Sequence, residues 1–187
     1  MRITGGKYRG RPVQADGGGL GIRPAMDRMR ESVFAILGDL TGLSFLDLFA
    51  GSGIIALEAA SRGASPVACV EKDPAKFPLL LRNVSIAEER IECKSMPAER
   101  FLLRNRVPYS IVFCDPPFPY RYRLDLLRSL AEGPTSAAGG LVVIHYPAED
   151  PLPESCGSLS AEDERAYGRS RVRFYRKDAG GGSSFEC

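Results

Sequence analysis

The chain has 187 residues, of which 26% are charged and 44% hydrophobic, with a net charge of +2; this is the balance of one globular domain long enough to bury a full core. No apolar stretch is long enough to span a bilayer and the N-terminus has no apolar signal core, so a soluble cytoplasmic protein with no membrane partner is expected. The five cysteines include no Cys-x-x-Cys pair, which speaks for free core thiols, Cys69, Cys93 and Cys114 among them, and against a zinc site or a disulfide framework.

Residues 2–14 read as a basic, glycine-rich β-hairpin too polar to be core, and Asp16 to Gly19 as a flexible joint. Asp27 then offers an N-cap to a helix whose Met29, Val33, Ile36, Leu37 and Leu40 recur at helical spacing. The charge is uneven. Residues 1–30 carry seven Lys/Arg against two Asp, and 165–177 carry six Lys/Arg and no acid. Clustered cations interleaved with tyrosines suit a surface that tracks phosphates. For the first cluster an RNA contact is favoured, through Lys7, Arg9, Arg11, Arg28 and Arg30. The second reads equally well as the solvent face of an edge strand, with Val172 and Phe174 pointing inward.

Residues 45–63 spell a hydrophobic strand, a tight glycine turn and a helix whose small residues can lie close on a sheet. Gly51 and Gly53 let a ligand approach the backbone at the helix N-terminus, and Gly63 stops the helix. Glu71 follows the apolar strand Val67–Val70 where an acid would read the ribose hydroxyls of an adenosine cofactor. NAD and S-adenosylmethionine both fit that pattern. Asp47, near the strand end, and the downstream Asp115-Pro116-Pro117-Phe118 separate them; a carboxylate at Asp47 repels a pyrophosphate but suits the positive amino-acid end of S-adenosylmethionine. Asp73-Pro74 looks like a helix cap, with Pro78 delaying or kinking that helix.

Further strands are expected near 90–94, 109–114 and 141–146, giving alternating strands and helices and hence a parallel α/β sheet. The strand at 109–114 runs into Asp115-Pro116-Pro117-Phe118, the most informative segment of the chain. Two prolines end the strand abruptly and rigidly. Asp115 and the Pro116 carbonyl can both accept from one planar NH2 group while Phe118 stacks on the ring that bears it, so an amino group on a nucleobase is the implied ligand. The plainer alternative is a simple turn, since Asp and Pro are common turn residues. His145, the single histidine, lies in an apolar run and reads as a packed or hydrogen-bonded residue without an assigned role. Residues 180–184 read as a disordered tail.

With both motifs placed, the chain resembles the RsmD-type methyltransferases, which methylate the exocyclic amine of a guanine in bacterial 16S ribosomal RNA. The resemblance runs through Arg2–Arg11, Gly21–Phe34, the glycine turn, Val70-Glu71, Asn83 and Asp115–Phe118, and is weaker at Tyr167-Gly168. It implies a Rossmann-like seven-stranded S-adenosylmethionine-dependent methyltransferase sheet with one antiparallel strand near 170–176, a hairpin/helix extension at 1–40, a methyltransferase core at 41–178 and a tail at 179–187. It also implies a small-subunit ribosomal RNA or assembly-particle partner, S-adenosyl-L-homocysteine as the product and a monomeric enzyme. The cofactor contacts expected are Arg23, Asp47, Phe49, Ala50, Gly51, Ser52, Gly53, Glu71, Lys72, Met96 and Asp115; the catalytic segment is Asp115, Pro116, Pro117 and Phe118; Tyr120 and Arg121 join the RNA contacts; no metal is expected. The chain departs from the family where Ala25 and Met26 follow Arg23-Pro24, and where Ser95-Met96-Pro97 replaces an acid near the cofactor's adenine. Two other readings compete: an amino-methyltransferase acting on DNA adenine or protein glutamine, and a non-catalytic RNA-binding ribosome assembly factor.

Overall fold

The computed structural model describes residues 1–15 and 24–180. The joint expected at 16–19, Arg23 and most of the expected tail lie outside them. The chain forms two compact units, Met1–Pro97 and a second beginning at Ala98.

The first unit contains helix α1 (Pro24–Leu37), strand β1 (Phe45–Asp47), helix α2 (Ile54–Ser61), strand β2 (Val67–Glu71), helix α3 (Phe77–Val84) and strand β3 (Ile91–Ser95). Its strands are parallel, with β2 between β1 and β3; Asp47 pairs with Cys69, and Glu71 with Ser95. All eight residues of α2 are buried, so the helix is enclosed on every side rather than lying on a sheet by one face. The N-terminal segment supplies the cover. It is not a free polar hairpin: apart from one isolated bridge, Arg2 to Pro12, it forms turns, and Ile3, Tyr8 and Val13 are fully buried. The Tyr8 amide donates to Ser61 Oγ at 2.8 Å, and Ser61 Oγ donates to the Gly5 carbonyl at 2.6 Å.

Under this cover sits a buried charge cluster. Glu58, on α2, accepts from the Thr4 amide at 2.8 Å, from Arg30 Nε at 3.1 Å and from Arg62. Such pairing is what allows a carboxylate to stay inside. Arg30 thus corrects the charge-based reading: its guanidinium is buried and held by Glu58 and by Asp27 at 2.9 Å, not offered to RNA. Asp27 lies in the first turn of α1, which starts at Pro24, instead of capping it. Phe34 is buried where Ile36 was expected to be, because the inward stripe runs through Met29, Arg30, Val33 and Phe34. Asp73 Oδ1 accepts from the Ala75 amide in a turn of its own, and α3 begins only at Phe77, with Pro78 in its tolerant first turn.

The second unit contains α4 (Ala98–Arg104), β4 (Tyr109–Cys114), α5 (Arg123–Glu132), β5 (Ser136–Pro147), β6 (Ser155–Cys156), β7 (Leu159–Tyr167) and β8 (Ser170–Lys177). Strand β4 pairs in parallel with β5; β5 with β8, β8 with β7 and β7 with β6 are antiparallel. The described residues therefore hold eight strands, one more than expected. The strands that the sequence pattern did not locate are β6 and the polar strand β7, whose half-exposed residues concealed it. Strand β8 is consequently flanked on both sides and is no edge strand. Its cations are internally paired: Arg171 and Arg173 with Glu164, and Arg176 with Glu162, while Lys177 Nζ donates to the carbonyls of Leu130, Gly133 and Ser136.

Cys69, Cys93 and Cys114 are free thiols, as expected. No helix among the described residues is long and apolar enough to cross a membrane.

Candidate functional site

In the first unit, the carboxyl ends of β1 and β2 carry the expected cofactor residues. The turn after β1 is tied to β2 by the Ala50 amide donating to the Val70 carbonyl at 2.9 Å. Gly51 and Gly53 have φ of +51° and +81°, a left-handed backbone that only glycine adopts freely. They differ in surroundings. A Cβ on Gly53 would lie 2.7 Å from Leu80 of α3, whereas one on Gly51 would meet nothing within 4 Å. The turn is thus packed on one side and open on the other.

Glu71 is buried at the end of β2, and its two oxygens accept from the Gly51 amide and the Asp73 amide, both at 2.8 Å. Each oxygen keeps a second lone pair for another donor. Asp47 is buried and accepts from the Phe49 amide at 3.3 Å. Ala50 is buried, Ser52 half-buried, Lys72 exposed, and Met96 half-buried with its amide on the Glu71 carbonyl at 3.1 Å. Asn83 locks the underside: its Nδ2 donates to the carbonyls of Ser52 at 2.8 Å and Gln14 at 2.9 Å, and its Oδ1 accepts from the Gln14 amide. One buried amide thereby joins the N-terminal segment to the glycine turn.

The expected RNA residues of this unit are already partly engaged. Lys7 pairs with Glu88 at 2.8 Å, and the hydrogen bond to Glu88 holds its ammonium pKa above the usual lysine value. Arg11 donates to the Ile86 carbonyl at 3.0 Å and lies over the Tyr8 ring. Arg9 and Arg28 are exposed.

In the second unit, the segment after β4 is held at three points. The Asp115 carboxylate, 24% exposed, has Oδ1 at 2.7 Å from His145 Nδ1. Arg123, buried at the start of α5, donates to the Phe118 carbonyl at 2.7 Å and the Pro117 carbonyl at 3.3 Å, and pairs with Asp150 at 2.7 Å. The Tyr120 amide donates to the Pro117 carbonyl at 2.8 Å. Pro116 is buried, Pro117 exposed, and the Phe118 ring is 50% exposed, with its centroid 5.6 Å from that of His145. Tyr120 donates to Glu99 at 2.6 Å and packs edge-on against Tyr122; burial, then that bond, pushes its phenol pKa up. Arg121 is exposed.

Two residues of this site escaped the sequence reading. His145 carried a usable signal: β4 and β5 are parallel neighbours with Cys114 opposite Ile144, so the next residue of each strand, Asp115 and His145, falls side by side. Arg123 carried none, because nothing in Tyr120-Arg121-Tyr122-Arg123 marks one arginine as buried. Among the described residues, no group of three or more His, Cys, Asp or Glu is placed to hold a metal.

Residues 1–176 match the family described as Conserved hypothetical protein 95. The chain is 32% identical over 185 residues to the ribosomal RNA small subunit methyltransferase D of Escherichia coli K12, covering 98% of this chain and 93% of that protein. It is 30% identical over 188 residues to the protein of the same name from Haemophilus influenzae, covering 94% and 93%. The solved structure of the Escherichia coli protein yhhF superposes with a TM-score of 0.86 at 31% identity, covering 96% of this chain and 99% of that one. The chain is therefore a member of the Conserved hypothetical protein 95 family, the RsmD-type methyltransferases.

Proposed function

We propose that this protein transfers a methyl group from S-adenosylmethionine to the exocyclic amine of a guanine in bacterial 16S ribosomal RNA, acting in the cytoplasm as a monomer. The observation that carries the reading is the Asp115 carboxylate. One oxygen is fixed by His145 while the group stays partly exposed beside a half-exposed aromatic ring. A structural turn needs no such arrangement; an amine recognised together with its ring does.

The first unit fits the cofactor on its own geometry, since the Gly51 turn is open where a Cβ would stand and Glu71 is fixed beside it with lone pairs to spare. Asp47, the turn Phe49–Gly53 and Glu71 would hold it, with Lys72 and Met96 alongside. The cofactor supplies a methyl group already activated on a sulfonium. What remains for the protein is to position the attacking nitrogen in line. Asp115 and the Pro116 carbonyl would accept the two N–H groups of the amine, favouring a tetrahedral nitrogen and the positive charge that develops on it. Arg123 and the Tyr120 amide hold the carbonyls of Pro117 and Phe118 in place. Phe118 would stack on an unpaired or flipped-out base. Arg9, Arg28 and Arg121 are exposed cations that would meet phosphates, with Lys7 and Arg11 recruited from their present partners.

The test is to supply labelled S-adenosylmethionine and small-subunit particles lacking the modification, then map the product by nuclease digestion and mass spectrometry. A single N2-methylguanine in 16S RNA is expected. Label on an adenine or a protein glutamine would assign the chain to another amino-methyltransferase class. Absence of transfer together with absence of cofactor binding by calorimetry would leave an RNA-binding assembly factor.

A further inference from the structure

We infer that His145 is the positioning residue of Asp115, acting as a neutral imidazole protonated on Nδ1. The inference rests on the proposed methyl transfer and extends it to a residue that never touches the substrate.

The contact is short, 2.7 Å from Nδ1 to Oδ1. An ionised carboxylate can only accept, so the proton lies on Nδ1. The other ring nitrogen tells the rest. His145 is 1% exposed, and its Nε2 is buried with no hydrogen-bond partner among the described residues. A bare acceptor lone pair is tolerated inside more readily than an orphan N–H, and a cationic imidazole would leave a charged donor there unsatisfied. Geometry therefore selects one tautomer. In that tautomer the imidazole fills one oxygen of Asp115 and leaves the other for the amine.

The ring is held in turn. His145 lies inside β5 between β4 and β8, opposite Val172, and the Phe118 ring leans on it at 56°. Asp115, by contrast, stands after the last residue of β4 and has no ladder of its own. A carboxylate at a strand end can rotate about two side-chain bonds. Anchoring it to a ring buried in the adjacent strand removes that freedom before the substrate arrives, which is how a positioned group lowers a barrier. His145 also touches both working parts of the segment, the Asp115 carboxylate and the Phe118 ring.

The chain has a single histidine, so a 15N-histidine-labelled protein yields one imidazole spectrum. The expected result is a protonated Nδ1 and a bare Nε2 in the wild type, with a changed Nδ1 signal in Asp115→Asn. An Nε2-protonated ring would overturn the inference. Single-turnover methyl transfer supplies the second arm. His145→Leu should slow transfer roughly 10- to 100-fold, the scale of a small misplacement, with cofactor affinity retained. His145→Asn, whose amide can reach the Nδ1 position, should recover most of that loss. His145→Leu should add little to the loss in Asp115→Ala. A wild-type rate in His145→Leu, no recovery in His145→Asn, or losses that multiply in the double variant would each refute the positioning role. A wild-type protein that transfers no methyl group refutes the proposed function instead, so the two failures are distinct.

Discussion

Arg123→Met tests whether the rigidity of the Asp115 segment comes from one buried guanidinium. The substitution keeps the bulk of the side chain and removes its donors. The 2.7 Å bond to the Phe118 carbonyl is charge-assisted, a class that contributes about 1.5–3 kcal/mol. The pair with Asp150, which is 57% exposed, adds only about 0–1 kcal/mol. Two effects reduce the loss. Pro117 and Phe118 are exposed, so their carbonyls regain water, and Arg123 Nε is buried without a partner among the described residues, so its removal relieves a cost. A net destabilisation of about 1–2 kcal/mol remains, which for a chain of this size lowers Tm by about 2–8 °C. The local effect should exceed the global one. Hydrogen exchange at the Tyr120 amide, bonded to the Pro117 carbonyl at 2.8 Å, should accelerate well beyond what the Tm change implies. Unchanged Tm together with unchanged Tyr120 protection would show that the double proline holds the segment without help.

Three further outcomes follow from the other clusters. Glu71→Gln should weaken S-adenosylmethionine binding by one charge-assisted hydrogen bond, about 1.5–3 kcal/mol or at least tenfold, by calorimetry on a folded variant; equal affinity would displace Glu71 from the ribose. Arg9→Ala should reduce RNA affinity at every sequence and lower the salt slope by about 0.7–0.9, since Arg9 is exposed; an unchanged slope would mark the N-terminal cations as surface only. Glu164 has its pKa held below the ordinary 4.5: burial pushes it up, but the bonds from Tyr146 and Arg173 outweigh that. A lowered folded pKa stabilises the protein above the ordinary carboxylate range and ceases to do so as pH falls through the folded value. Glu164→Gln should therefore flatten the acid limb of a stability-versus-pH curve, and an unaltered limb would show that the cluster is not coupled to folding.

The parallel strands were legible because each is a short apolar run: β1, β2, β3 and β4 lie within a few residues of where the hydrophobic pattern puts them. The glycine turn was legible because positive φ at Gly51 and Gly53 has one residue-level solution. The N-terminal segment was misread because its burial rests on three side chains, Ile3, Tyr8 and Val13, spaced among cations that charge counting notices first. Arg30 was misread for the same reason; it occupies the inward stripe of α1, where a buried partner, Glu58, sits far along the sequence. Strand β7 was hidden because neither of its faces is fully covered, so Glu162 to Arg165 alternates weakly. His145 and Arg123 act through contacts 30 residues and five to six residues from their targets, and only the β4–β5 register reveals the first.

The most direct test of the central claim is the single-turnover rate of methyl transfer to small-subunit particles by Asp115→Ala. The substitution leaves the Gly51–Gly53 turn, Glu71 and the exposed cations in place. The rate should fall roughly 10²- to 10³-fold, the scale of losing one preorganised charge-stabilising group, while RNA affinity holds. A rate near that of the wild type would show that Asp115-Pro116-Pro117-Phe118 is a turn and that the amine is recognised elsewhere.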